Sequence, residues 1–500
     1  MKKINVLLIL LLIYLSLILR SVEVLNKNYL FGFDQGRDYL AVKDIVVNHK
    51  LTLIGSEIGA GSAGFQGIFH GPFHYYFLSI PFIIFGGDPY GGIVLMFIFS
   101  ISAIILSYFL GKKLFGTTIG IISALLVAIS PPLISQSRFV WNSHPSTLFI
   151  LIAFYFVYLF TKNKNKKSIF FAAFFSGFVY NFELAIAIPM SIALVLYCFF
   201  ILRARFLKLY VFLFFGLVSS FLPMIFFELR HKFMGLNGLI NYLLHHEETA
   251  VTLKFLQLLT KDHFDSFWFN FSYTFPRQTF FPAILIFLIV FLPAVFFFFR
   301  EKNVVLKRFC AYLLILVPIN FIVFFPLRNA VYAYYLIDLN LSYIFLFSYA
   351  IFSAYKNRNF IFKPLLTSLL IIFLVRAAVY NTPNAKYDYF DYGGDAKIKG
   401  RIDALDYIYK DAKKEKFGLL VFRPPIYTYP YDYLVWWYGQ KKYGYIPPRE
   451  KKGLFYLLIE KDSSKPWSYN GWLETVVKTG RIIETKTLPS GFIVQKRIAK

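Results

Sequence analysis

The run "PFHYYFLSIPFIIFG" (residues 72–86) decides how this chain is threaded through a membrane. It is apolar but has only 15 residues and an internal proline, whereas a helix needs about 20 apolar residues to span a bilayer. If this run spanned, the later basic clusters would lie outside. We interpret it as an interfacial helix, because Tyr75, Tyr76 and its phenylalanines suit the membrane–water boundary.

The composition predicts an integral membrane protein. Hydrophobic residues make up 58% of the 500 residues and charged residues only 16%, and the mean hydropathy is +0.57. A soluble domain has about a quarter charged residues. The net charge of +26 lies largely in clusters between apolar runs, which is typical of cytoplasmic loops and argues against nucleic-acid binding. The clusters fall at 2–3, 112–113, 162–167, 203–208, 300–308 and 356–363.

With these clusters inside, we expect about eleven spans in the plasma (inner) membrane and a cytoplasmic N-terminus. The first apolar run lacks a small-residue cleavage site and is expected to remain as the first span. The spans are 4–20, 90–110, 114–131, 146–161, 169–183, 184–202, 208–227, 281–299, 309–326, 333–354 and 363–380. The main outer loops are 21–89, 132–145 and 228–280.

A change of composition after residue 380 indicates a domain boundary. Residues 1–380 form the membrane domain, and residues 381–500 contain no further span and should lie outside the membrane. "GRIDALDYIYKDAKKE" has helical spacing, while "FGLLVF", "LFYLLIE" and "GFIVQKR" are typical of strands. The predicted fold class is an α-helical polytopic membrane protein with a small C-terminal, extracytoplasmic α/β domain.

The stretch "FDQGRDYL" (33–40) places Asp34, Arg37 and Asp38 just beyond the first span. A carboxylate at a membrane surface is costly unless it is solvated or paired. One interpretation is a solvated loop charge or a helix cap. The other is a general base, or an acid that orients an acceptor hydroxyl or amine.

The order of the motifs resembles the GT-C family of membrane glycosyltransferases, and most closely its protein O-mannosyltransferase and lipid A aminoarabinose transferase branch. An acidic motif follows the first helix, then come "LTLIGSEIGAG", "HGPFHYYFLSIPFIIFGGDPYGG" and helices with basic turns. Asp34-Gln35 stands where that family usually has Asp-Glu, and "GPFHYY" (71–76) stands for its Pro-Pro-Leu stretch. The resemblance implies sugar donors carried on polyprenyl phosphate.

The resemblance also implies roles for particular residues. Asp34 matches the catalytic carboxylate, and Asp38 lies one helical turn further on, where the two can share a face. His70, Arg37 and Arg328 are the expected contacts of the donor phosphate. For His70 a loop histidine without a role stays an alternative, and for Arg328 an interfacial arginine that reaches the headgroups.

The remaining candidates are polar or aromatic groups of the outer loops and span ends. They are expected to line the substrate cavity: Tyr75, Arg138, Asn142, His144, Glu183 and Tyr335. Asn142 and His144 stand near the place of a second acid in several relatives, and Tyr335 could equally be a belt aromatic. Gln35 in place of glutamate disfavours a two-carboxylate metal site there.

The sequence does not clearly indicate a cofactor. The loop segments "LLHHEET" (243–249) and "KDHFD" (261–265) contain histidines and carboxylates. A divalent metal is possible there but disfavoured, because the spacing fits no known motif. Cys198 and Cys310 are expected to be small buried hydrophobes.

The sequence therefore predicts a glycosyltransferase, of hexosyl or pentosyl type, that uses a polyprenyl-phosphate-linked sugar and inverts the anomeric centre. Its expected partners are that donor lipid, membrane lipid and an unidentified extracytoplasmic acceptor. An envelope polysaccharide polymerase or ligase, or a lipid or solute transporter, remains an alternative. A transporter would show repeated halves and charges within the spans, whereas the polar residues here concentrate in outer loops.

Overall fold

The computed structural model describes residues 2–61, 67–201, 207–244, 258–276, 282–325, 331–424, 427–462 and 464–499. Two sequence-level candidates, Arg328 and the histidine pair at 245–246, lie outside these ranges.

The described residues of the N-terminal half are mostly helical. Its helices are α1 Lys2–Arg20, α2 Val22–Asn26, α3 Phe33–Val46, α4 Phe73–Ile84, α5 Tyr90–Phe115, α6 Thr117–Ile129, α7 Pro131–Ser135, α8 Ser146–Asn163, α9 Lys166–Phe178, α10 Leu184–Leu196, α11 Leu207–Ser220, α12 Leu222–Arg230 and α13 Met234–Leu244. The interfacial run of the sequence is thus the twelve-residue α4.

The second half adds helices and one sheet. The helices are α14 Phe264–Thr274, α15 Ala283–Arg300, α16 Val304–Phe324, α17 Ile337–Lys356, α18 Phe362–Arg376, α19 Thr382–Phe390, α20 Ile398–Asp411, α21 Tyr429–Leu434, α22 Gln440–Tyr443 and α23 Ser468–Trp472. The strands are β1 Gly418–Phe422, β2 Gly453–Ile459, β3 Arg481–Thr487 and β4 Ile493–Ala499.

The chain is a multi-pass membrane protein. Six helices of the described ranges are long and apolar enough to cross a bilayer, and the pair Lys208–Ser220 and Leu222–Arg230, bent by 63°, could form a seventh span. Four shorter apolar helices fall at Ile4–Arg20, Phe73–Ile84, Thr117–Ile129 and Leu184–Phe200. The expected number of eleven spans and the orientation of the termini stay predictions.

The C-terminal sheet is mixed and has the strand order β1-β2-β4-β3. β1 and β2 are parallel, and β4 pairs antiparallel with both β2 and β3. The three strands expected from the sequence are confirmed as β1, β2 and β4. β3 was missed, because its residues "RIIETKT" are all exposed and carry no alternating apolar pattern.

Two large cores organise the molecule. One is built from the membrane helices. The other joins residues of α3, α4 and the start of α5 to residues of α20, α21 and the sheet. The C-terminal segment therefore packs directly against the first outer loop, and this contact shapes the cavity described next. The predicted division at residue 380 stays a prediction.

Candidate active site

A cavity of about 580 Å³ opens beside the first turn of α3. It brings together six of the residues singled out from the sequence, although they are spread over some 300 positions: Asp34, Arg37, His70, Asn142, Glu183 and Tyr335. The cavity is also lined by residues outside the predicted site: Phe33, Ser56, Glu57, Ile58, Gly59, Trp141, Tyr334 and Tyr427.

Arg37 bridges the two aspartates of the acidic motif. Its Nη1 lies 3.0 Å from Asp34 Oδ1. Its Nη2 and Nε lie 2.8 Å and 2.9 Å from Asp38 Oδ1. A guanidinium has five N–H donors, and a contact with the Tyr75 hydroxyl engages another of them. Because Arg37 lines the cavity, its remaining N–H can meet an anionic group of a substrate.

Asp34 is the carboxylate of the pair that lines the cavity. Its side chain is 36% exposed, and it stands in the first turn of α3, where the helix dipole favours a negative charge. Burial raises the pKa of Asp34 above its usual value and the charge of Asp38 adds to this, while Arg37 and Arg423 oppose it. The carboxylate is therefore a somewhat stronger base than an ordinary aspartate.

Asp38 is not among the residues that line the cavity, and its predicted catalytic role stays a prediction. It is fully buried, with Oδ2 3.4 Å from His74 Nε2 and Oδ1 3.4 Å from the Tyr75 hydroxyl. Burial favours a raised pKa, but the charge of Arg37 and the contact with His74 outweigh it and hold the pKa of Asp38 below its usual value. Asp38 is placed to anchor Arg37.

Gln35 makes two contacts that hold the start of α3 in place. Its Oε1 accepts the Gly32 N–H at 2.8 Å, which caps the start of α3. Its Nε2 donates to the Val140 carbonyl at 2.6 Å and so ties α3 to the second outer loop. A carboxylate could make the first contact but has no proton for the second.

His70 and Asn142 line the cavity but are nearly buried. Burial lowers the pKa of His70 to about 3, and Arg37 lowers it further, so the imidazole is neutral. Its Nδ1 has no hydrogen-bond partner among the described residues. A neutral imidazole has one N–H, so His70 would contact a phosphate as a neutral hydrogen-bond donor. Asn142 donates to the Phe182 carbonyl at 2.7 Å.

Three predicted cavity residues lie elsewhere. Arg138 lines a separate cleft, because Glu23 at 2.6 Å and Asp388 at 2.8 Å hold its guanidinium there. Tyr75 is buried against Asp38. His144 is buried with Nδ1 2.7 Å from the Phe139 carbonyl, and burial lowers its pKa to about 3.

Carboxylates outnumber cations in the wall of the cavity. Glu183 caps α10, with Oε1 accepting the Ala185 N–H at 3.3 Å. Glu57 Oε1 accepts the Gly67 N–H at 2.8 Å. A signal for Glu57 was present, because it is the one carboxylate of the glycine-rich stretch "GSEIGAGSAG". With Asp34, three carboxylates surround the cavity near one guanidinium.

The C-terminal segment forms part of the site. The ring of Phe33 lies 5.5 Å from that of Tyr427 and 5.2 Å from that of Tyr429. Arg423, nine-tenths buried, pairs with Glu460 at 3.3 Å. Because Arg401 also pairs with Glu460 at 3.2 Å, this cluster carries one more positive than negative charge beside the start of α3.

Metal ligation has no support within the ranges that the structure describes. No group of three or more His, Cys, Asp or Glu side chains there is arranged to hold an ion. Most of the predicted histidine–carboxylate segment at 243–249 lies outside those ranges.

Comparison with known proteins supports the resemblance inferred from the motifs. Residues 69–226 match the family model of the dolichyl-phosphate-mannose-protein mannosyltransferases. No curated protein sequence matches the chain significantly.

Two solved structures of ArnT have the same fold as this chain. ArnT from Cupriavidus metallidurans, bound to undecaprenyl phosphate, matches with a TM-score of 0.58 at 10% identity, over 99% of this chain and 98% of that chain. Its apo state matches with the same TM-score and coverage at 11% identity. The Archaeoglobus fulgidus oligosaccharyltransferase, in complex with Zn and sulfate, reaches 0.48 at 15% identity, over 97% of this chain and 72% of that one. The predicted likeness to the mannosyltransferase and ArnT branch of the GT-C fold is confirmed.

Proposed function

We propose that this chain is a membrane glycosyltransferase that moves a sugar from a polyprenyl-phosphate carrier to an acceptor outside the cytoplasm. The observation that carries this proposal is the cavity at α3, where the partly exposed carboxylate of Asp34, whose pKa is raised by burial, lies beside the guanidinium of Arg37. The ArnT structure with bound undecaprenyl phosphate supports a lipid phosphate as the carrier. We place the site in a domain of about eleven spans, with the N-terminus in the cytoplasm.

In the proposed reaction Asp34 accepts the proton of the acceptor hydroxyl or amine. The acceptor atom forms a bond to the anomeric carbon while the bond from that carbon to the phosphate oxygen breaks. The lipid phosphate leaves with the bonding electron pair, and attack from the opposite face inverts the anomeric centre. Arg37, held in place by its ion pair with Asp38, offers its remaining N–H to the phosphate. Arg328 stays a proposed second contact on the basis of the resemblance.

The sugar would lie against the aromatic and acidic wall. The ring centroids of Trp141 and Tyr334 are 4.5 Å apart. Tyr427 of the C-terminal segment lines the same cavity. Aromatic faces pack on the apolar face of a sugar ring. The carboxylates of Glu57 and Glu183 can accept hydrogen bonds from sugar hydroxyls, and the amide of Asn142 can accept or donate them.

The test compares Asp34→Asn with the wild type. Purified protein is incubated with radiolabelled polyprenyl-phosphate sugars and membrane acceptors, and transfer and donor binding are measured. Removing a general base costs about 10²–10⁴-fold in rate, with donor binding retained. The matched control is Asp388→Asn, which makes the same type of substitution at the separate cleft. This variant should keep near wild-type activity.

Equal activity of wild type and Asp34→Asn would refute the assignment of Asp34 and favour a polymerase or ligase with its site in a later outer loop. Absence of transfer from every donor, under conditions where an ArnT protein works, would refute the glycosyltransferase proposal and favour transport.

A further inference from the structure

A second feature of the molecule is a groove of about 710 Å³ at the hairpin where α8 ends and α9 begins. Lys164, Lys166, Lys167 and Lys208 line it, and all four are exposed. Its other side is apolar, formed by Leu209 and Phe212 of α11. The site is remote in the fold from the cavity at α3, and the proposed reaction does not use it.

The groove concentrates positive charge without compensation. Residues 89–227 contain a single carboxylate, Glu183, and that residue caps the start of α10 and lines the other cavity. Within the described residues none of the four lysines forms an ion pair with a carboxylate. Grouped ammonium charges repel one another, and an anion held between them relieves that repulsion.

The helix that begins in the groove adds to this field. α9 has 13 residues and starts at Lys166 after the Asn165 cap, whose side chain accepts the Ser168 N–H at 2.7 Å. The first N–H groups of a helix have no intrahelical acceptor, and its N-terminus carries a partial positive charge. The ammonium groups and the helix end therefore favour the same kind of ligand.

The helices beside the groove expose apolar side chains that suit contact with lipid. Phe171 of α9 and Val211, Phe214 and Phe215 of α11 are exposed large apolar side chains on the same two helices, as expected for a surface that meets acyl chains. Lys166 Nζ lies 5.3 Å above the ring of Phe212, so one side chain joins the charged and apolar parts of the groove. A free anion would use only the charged part.

We propose that this groove binds an anionic phospholipid, with the headgroup phosphate between the lysines and the acyl chains along α9 and α11. The orientation predicted from the basic clusters places it in the cytoplasmic leaflet, where basic pockets between membrane helices recognise anionic headgroups. The proposal is independent of the proposed transferase activity.

Lys164 offers a variant that separates binding from folding. Its φ of 50° is left-handed, a conformation that favours glycine at a helix C-terminus. Lys164→Gly should therefore leave the hairpin as stable or more stable while it removes one charge from the groove. If Lys164 had only a structural role, this change would not affect lipid binding.

The experiment measures phospholipid retention by native mass spectrometry of the full-length, delipidated protein. The probes are phosphatidylglycerol and phosphatidylcholine, with inorganic phosphate as a competitor. We expect the wild type to retain phosphatidylglycerol at least fivefold over phosphatidylcholine. Lys164→Gly should reduce this preference, and its combination with Lys166→Gln and Lys167→Gln should abolish it. The control removes three lysines of other basic clusters, Lys302→Gln, Lys307→Gln and Lys363→Gln, and should retain the preference.

Three results would overturn the proposal. They are a wild type without preference for phosphatidylglycerol, an equal loss in the control variant, and displacement of the lipid by inorganic phosphate at millimolar concentration. The last result would identify the groove as a site for free phosphate. A thermal unfolding curve of each variant shows that any loss of binding occurs in folded protein.

Discussion

At the scale of single residues, burial assigns different roles to two aspartates of one motif. Asp34 and Asp38 share the guanidinium of Arg37, but the side chain of Asp34 is 36% exposed and that of Asp38 only 1%. Only the first can meet a substrate. The second holds the arginine that the first pairs with, so both influence the site by different routes.

Asp38→Asn should destabilise the protein, because it leaves the charge of Arg37 partly uncompensated in a buried place. Breaking a buried ion pair from one side costs about 3–5 kcal/mol. Asp406→Asn breaks an exposed pair with Lys442 and should cost about 1 kcal/mol or less. Thermal unfolding of both variants in detergent tests this difference. Equal stability of the two would contradict the anchoring role of Asp38.

Arg423→Met should move the acid limb of the pH–rate profile to higher pH. Activity requires ionised Asp34, so the rate falls as pH falls through the pKa of this group, which burial raises and Arg423 lowers. Without Arg423 the pKa rises further, by roughly half a unit or more. Arg449→Met removes an exposed arginine that pairs with Asp432 and should leave the limb in place. An unshifted limb in Arg423→Met would show that this charge does not act on Asp34.

At the scale of elements, α3 is the part that positions the site, and its contacts explain the odd residues of its motif. Gln35 caps the helix and binds the second outer loop. Gly36 allows the C-terminal segment to approach, because a Cβ there would lie 2.6 Å from Pro430 Cα and 2.5 Å from the Tyr429 carbonyl carbon. The helix is therefore held from two sides, by residues distant in sequence.

Gly36→Ala should separate α3 from α21 and disturb the cavity. Overpacking of this kind costs about 1–3 kcal/mol, and we expect a lower unfolding temperature together with a reduced transfer rate. Gly471→Ala is the control, because a Cβ at that helical glycine meets nothing within 4 Å. If Gly36→Ala matched the control in both measurements, the close approach of the two segments would not matter for the site.

At the scale of the whole molecule, the C-terminal segment and the first outer loop share one core. Phe31 N–H donates to the Ala396 carbonyl at 3.3 Å, and Ile398 N–H donates to the Tyr29 carbonyl at 2.9 Å. Trp437 Nε1 donates to the Gly86 carbonyl at 3.1 Å. The buried rings of Tyr39 and Tyr433 lie 5.1 Å apart across this contact. Part of the hydrophobic core of the C-terminal segment thus belongs to the membrane-proximal helices.

Residues 381–500 expressed alone should fail to unfold cooperatively, because they lack the partners of their buried face. Domains of this size are marginal even with a complete core. Circular dichroism and thermal unfolding of the fragment, beside the full chain in detergent, measure this. A sharp transition in the fragment would show an independent domain and would support the boundary predicted near residue 380.

The sequence by itself determined the class of the molecule, the positions of its apolar helices and three of its four strands, because hydropathy and spacing are local properties. It also singled out Asp34, because the order of the motifs around it resembles that of the GT-C family. The tertiary structure decided which polar residues share the cavity. Asp38, Tyr75 and His144 are buried and do not line the cavity, and ion pairs with Glu23 and Asp388 hold Arg138 in another cleft. Glu57 and Tyr427 joined the site through packing between distant segments, which no local pattern encodes.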